Sequence, residues 1–212
     1  MLKYHLKNAL LGCLLLWSTA CTFQRGPAYA PECVRVLSLP ADTFWDGPPS
    51  GSALQGDSDP ALPVMLPTTT QPVQGISALR AIGGERFLAL VDNGYGLRGN
   101  SKDFFLRVYE LQLSHTSSSI VITRAIPLSD PHQFLNFPLV VDDESGSFSE
   151  EERAQRILTG GDLDPESLAV TADGTLWIGE EFGPFLLKFS PNGELLQAPI
   201  EIPIPFALAS SN

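Results

Sequence analysis

Two stretches of the chain follow one pattern. GISALRAIGGERFLALVDNGYG, residues 75–96, and ESLAVTADGTLWIGEEFG, residues 166–183, each begin as a short strand of small and apolar residues. A Gly-containing turn and a second apolar strand follow, then polar or acidic residues, then a Gly beside an aromatic. A further hairpin pattern comes next in both, FFLRVYELQL in one and PFLLKFSPNGELL in the other. Four short antiparallel strands that recur as a unit are the mark of a propeller blade, which buries its faces only against neighbouring units.

The other segments agree with an all-β chain. Eighteen Gly and eighteen Pro in 212 residues favour short strands and tight turns over long helices. Residues 34–39 alternate and predict a first strand, and residues 40–73 predict a long loop carrying at most one short strand. Residues 86–93, 103–113 and 120–128 predict three more strands, the last two an antiparallel pair. SLAV, TLWIGE, FLLKF and ELLQAPIEI predict the later ones, with Asp173-Gly174 and Asn192-Gly193 at turns. One helix is expected, over residues 149–158, where Ser149 and Glu152 form a capping box. No segment reads as a parallel βαβ unit.

The formal net charge is −11. No basic stripe exists to follow a phosphate backbone, which excludes nucleic acid as a partner. An acidic chain attracts cations instead. Residues 1–21 read as a lipoprotein-like signal peptide: a short basic segment with Lys3, His5 and Lys7, an apolar run, then Ser18-Thr19-Ala20 before Cys21. The expectation is export to the periplasm or cell envelope, with Cys21 as the lipidation site and the lipid as the only membrane contact. A cut after Ala30 and an uncleaved anchor are the alternatives. Without lipid, Cys21 and Cys33 can form a disulfide in an oxidising compartment. Residues 22–33 read as a linker and residues 34–212 as the folded domain.

The acids carry the functional argument. In the hairpin around Asp173-Gly174, Glu166 falls opposite Glu180 or Glu181, depending on the loop length. Like charges face to face destabilise a sheet unless solvent, protonation, a basic partner or a metal relieves them. Asp162 and Asp164 add charge upstream, and the matching end of the first repeat carries Asp92 and Asn93. Asp92, Glu166, Glu180 and Glu181 are therefore the candidate metal ligands. Oxygen-only donors of this kind suit a hard cation, Ca2+ above all. The plain alternative is solvated edge acids, one of them paired with Lys188 or Arg98. Arg98 and Lys102, in the loop after Asp92-Asn93, are candidates to bind an anionic substrate. Gly-x-Ser-x-Gly, His-Glu-x-x-His and phosphate-cradling Gly motifs are all absent.

DLDPESLAVTADGTLWIGEEFGPFLLKFSPNGELL, residues 162–196, resembles the phytase-like family, described by an esterase-like activity of phytase. QGISAL, LALVDNGYG and FPLVVDDE leading to ILTGGDLDPES extend the resemblance over residues 34–205. The resemblance implies a β-propeller-like fold of short four-stranded blades, exported bacterial relatives and, loosely, action on phosphate esters. Its acids fall on Asp164, Glu166, Glu180 and Glu181, with Asp92 and Asn93 in the first repeat. The family pattern continues beyond residue 212, so an incomplete propeller is expected. The leading expectation is a metal-dependent hydrolase of small phosphate esters with Glu166 as its catalytic residue. A non-catalytic envelope binding protein and a lactonase-like propeller hydrolase are the alternatives.

Overall fold

The hydrophobic alternation resolves into two four-stranded antiparallel sheets in a computed structural model. It describes residues 36–54, 65–114, 119–144 and 146–203. The expected signal segment, Cys21, the expected linker and Cys33 lie outside the described residues. From Leu37 onward the chain forms one compact unit.

The first sheet is a meander of β3 (Ile76–Gly83), β4 (Arg86–Val91), β5 (Arg107–Leu113) and β6 (Ile120–Pro127). The second is a meander of β7 (Pro165–Val170), β8 (Leu176–Glu180), β9 (Phe185–Phe189) and β10 (Ile200–Glu201). The two repeat stretches thus supply the first two strands of each sheet. Residues 40–73 carry two short strands where at most one was expected: β1 (Phe44–Trp45) and β2 (Gln71–Pro72) pair with each other across the loop, a partnership with no local signal. Residues 36–40 form no strand, so the strand expected at 34–39 is absent over its described part.

Period-two alternation sends the side chains of the first sheet into two cores. Leu88, Leu90, Val108 and Ile126 face one core, where they meet Ile178, Leu187 and Phe189 of the second sheet. Ala89, Val91, Tyr109 and Leu111 face the other, closed by Val73, Leu39, Trp45 and Tyr95. A sheet buried on both faces explains why residues 86–91 read as an almost unbroken apolar run. β3 lies beside β7, which brings the equivalent ends of the two repeats together.

Three expected elements are shorter than their patterns. The strand expected at ELLQAPIEI is reduced to β10, because Glu194 and Leu195 turn instead to isolated bridges with Ser129 and Phe189. The strand expected at 103–113 begins only at Arg107, because the preceding donors go elsewhere. Phe105 N–H donates to Gln71 Oε1 at 2.7 Å and Leu106 N–H to Leu158 O at 3.0 Å. The helix α1 (Glu150–Gln155) has the expected capping box but stops at Arg156, whose φ of 49° is left-handed. Leu158 N–H then bonds Leu128 O at 2.9 Å. The helical pattern of Ile157 and Leu158 was core burial, not helix continuation.

Candidate metal and substrate site

The site grows from a fault in the β7–β8 ladder. Val170 pairs with Leu176 and Ser167 with Gly179, a register that would set Glu166 against Glu180. Instead a bulge between Pro165 and Ser167 pairs Pro165 with Glu180. Glu166 is the extra residue, and bulges re-aim side chains in this way. Beyond the ladder, Glu181 N–H donates to Asp164 O at 3.1 Å and closes the end of the hairpin.

This geometry gathers Asp164, Glu166 and Glu181. Each offers a carboxylate oxygen, and the three lie within 4.8 Å of one another. Asp164 is buried, while Glu166 and Glu181 are exposed. Asp164 also reaches the first repeat: its oxygens accept from Asn93 N at 3.1 Å and from Asn93 Nδ2 at 2.8 Å. Burial, then the charges of Glu166, Glu181 and Asp92, raise the Asp164 carboxyl to about 6, against the opposing hydrogen bond from Asn93. Two glycines permit the approach. A Cβ on Gly160 would sit 2.0 Å from Asn93 O, and one on Gly75 2.0 Å from Asp92 Oδ1.

The other expected acids have different work. Glu180 stands outside the group. It is 4% exposed, and its oxygens accept from Gly183 N at 2.7 Å, Phe182 N at 2.9 Å and Phe185 N at 3.1 Å. It ties the turn at 181–184 internally, much as a helix cap satisfies orphan donors. Asp92 accepts from Gly94 N at 2.7 Å and acts on the group as a nearby charge. Asp162 is buried too, bonded to Val140 N at 2.7 Å and Thr159 N at 2.8 Å, with burial pushing its carboxyl upward. Asp103 holds Gly51 N and Ser52 N, both at 2.8 Å. Much of the chain's acidity serves backbone donors in loops that have no ladder of their own.

The two candidate substrate cations part company. The Arg98 guanidinium carbon lies 4.0 Å from the centroid of Phe182, the residue after Glu181. Lys102 instead lines a cavity of about 470 Å³ with Asp103, Phe105 and Phe148, a lining that includes none of the three acids. Lys188 lies over Trp177 at 5.4 Å. Among the described residues neither Arg98 nor Lys188 makes an ion pair with an acid. The sequence reading gives Asp164 as upstream charge and as one of the acids the resemblance implies, but leaves it out of the candidate ligands, and it passes over Phe182. The pairing of Asp164 with Asn93, 71 residues away, had no local signal.

The donor set fits a hard divalent cation: three carboxylates, oxygen only, mutually repelling and open on one side. The elevated Asp164 fixes a sign. Its contribution to the stability of the cation-free chain is complete below the ordinary value of 3.8 and is lost as pH rises through about 6. In chelator, the thermal midpoint should therefore fall across that window, and Glu166→Gln should flatten the fall by removing one of its causes. An equal slope in both proteins would break the link between these carboxylates.

An antiparallel β scaffold with an oxygen-donor group at its strand ends defines the class. The chain belongs to the phytase-like family, described by an esterase-like activity of phytase, whose model matches residues 71–212. A stretch of 36 residues, 17% of this chain, is 44% identical to an uncharacterized secreted protein of Arthroderma benhamiae and covers 7% of that protein. No solved structure matches the chain. Among the described residues no helix is long and apolar enough to cross a membrane.

Proposed function

We propose that the protein is an exported, metal-dependent hydrolase of small phosphate esters, built on a propeller-like scaffold and lipid-anchored through Cys21. The observation that carries the reading is the convergence of Asp164, Glu166 and Glu181 oxygens within 4.8 Å. The family supports hydrolase chemistry, and the two blade-like meanders support the scaffold. The secreted relative and the signal-like N-terminus support export.

These three residues would hold the cation, Ca2+ by preference for their donor type. When bound, such an ion supplies Lewis acidity at a phosphoryl oxygen. Asp164 stays fixed by Asn93 and orients the group. Glu166, exposed in this group, would take a proton from attacking water. Arg98 binds the substrate anion.

The test is turnover by the full chain with calcium or chelator on an aryl phosphate, an aryl acetate and a γ-lactone. Calcium-dependent release from the phosphate ester is expected, with Glu166→Gln slower by about 100-fold or more. Preference for the lactone would move the reading to a lactonase-like hydrolase. Asp164 also ties together the ends of both repeats, which favours a second reading, a purely structural cation in a binding protein. Calcium binding without turnover on any of the three would establish it.

A further inference from the structure

We propose that Phe182 is a positioning residue that holds the Arg98 guanidinium as an oxyanion clamp beside the three carboxylates, so that the site selects phosphorylated substrates over neutral esters. This deepens the hydrolase reading above and rests on it. The central observation is what Arg98 does not do. It lies in the loop that follows Asn93, which is bound to Asp164, yet it pairs with no acid among the described residues. Its guanidinium carbon lies over the Phe182 ring instead, 4.0 Å from the centroid.

Both halves of the contact are anchored to the site. On the Arg98 side, Asn93 donates to Asp164 and its own Oδ1 accepts from Gly96 N at 2.7 Å. Asn100 N–H bonds Leu97 O at 3.0 Å, and Ser101 Oγ bonds Leu97 O at 2.8 Å, which shapes the rest of the loop. On the Phe182 side, its N–H donates to buried Glu180 at 2.9 Å. The contact thus joins a loop held by Asp164 to a turn held by Glu180.

The ring contact determines what of Arg98 remains available. The ring engages the cation through its π electrons and takes up no carboxylate. With no ion pair among the described residues, the N–H edge of the guanidinium is left for a bidentate oxyanion. An arginine engaged by a carboxylate would have lost that edge. Phe182, the residue after Glu181, therefore gives Arg98 a partner that leaves this edge open. Lys102 lines another cavity and offers no equivalent.

Titration calorimetry of the full chain with inorganic phosphate tests this, both in calcium and in chelator, with acetate as the carboxylate arm. Phosphate should bind more tightly than acetate. Phe182→Leu should weaken phosphate about threefold, and Phe182→Tyr should restore it. Arg98→Lys should weaken it about tenfold, because an ammonium cannot form the planar fork. A separate calcium titration, expected to be equal in all four proteins, reports on the metal reading alone. Phosphate affinity unchanged in Phe182→Leu or in Arg98→Lys, or no phosphate binding in either condition, overturns the clamp whatever calcium does. Acetate bound as well as phosphate overturns the selectivity. Should Phe182→Leu lose its cooperative unfolding, the Tyr and Lys variants decide.

Discussion

Glu180→Gln is expected to lower the thermal midpoint by about 10 °C, the largest single effect at this end of the molecule. The physical reason is donor against donor. One Glu180 oxygen accepts from Gly183 N and Phe185 N, and the other from Phe182 N, with Asp164 N at 3.5 Å. Gln keeps one acceptor oxygen and turns an NH2 group toward the remaining N–H donors, whichever way the amide is placed. Each buried donor left unsatisfied costs about 1–3 kcal/mol, so a loss of about 3 kcal/mol is expected. In a domain of this size about 1 kcal/mol moves the midpoint by about 2–4 °C. Glu181→Gln, one residue away but exposed, is the control and should not destabilise in chelator. Equal midpoints for the two variants would mean that Glu180 does not brace the turn, and its place among the metal candidates would reopen.

Calcium is expected to raise the midpoint of the native chain, and both Glu166→Gln and Glu181→Gln to abolish that rise. At a free ion concentration about 100 times the dissociation constant, binding to the folded state alone adds about 2.7 kcal/mol. That corresponds to a shift of about 5–10 °C. The same two variants should do the opposite in chelator. Each removes a charge that opposes Asp164 ionisation, so each should unfold at a slightly higher temperature than the native chain near neutral pH. Opposite signs with and without the ion are diagnostic of a binding site held together against its own repulsion. Ordinary surface acids would give neither effect. A calcium shift that survives in both variants would place the ion elsewhere.

The hairpins were legible because their causes are local. The apolar runs of residues 86–91 and 120–127, glycine at the turns and the Ser149–Glu152 capping box each act within a few residues. Asp173 belongs to the same class: the Thr171 hydroxyl and then Thr175 N–H hold its carboxyl down to about 2, and the turn it marks is where the Asp-Gly pair placed it. Where the pattern misled, a distant partner had taken over the backbone. Phe105 gave its N–H to Gln71, and Leu158 ended the helix by joining Leu128 and Leu106.

The acids divide along the same line. Composition and spacing were enough to show that Glu166, Glu180 and Glu181 crowd one end of a hairpin. They could not assign the work, because that depends on a bulge and on contacts far along the chain. The bulge at Pro165–Ser167 arises only when β7 is laid against β8, and it turns Glu166 toward Asp164 and Glu181. Burial then separates neighbours: Glu180 is drawn in among the N–H groups of Phe182, Gly183 and Phe185, while Glu181 stays at the surface. The sequence by itself determined the strands, their turns and the presence of excess negative charge, since those follow from short-range periodicity and side-chain chemistry. Only the tertiary structure decided which carboxylates brace the backbone and which remain to meet a cation, because a carboxylate's role is set by the donors and charges that folding brings within a few ångströms of it.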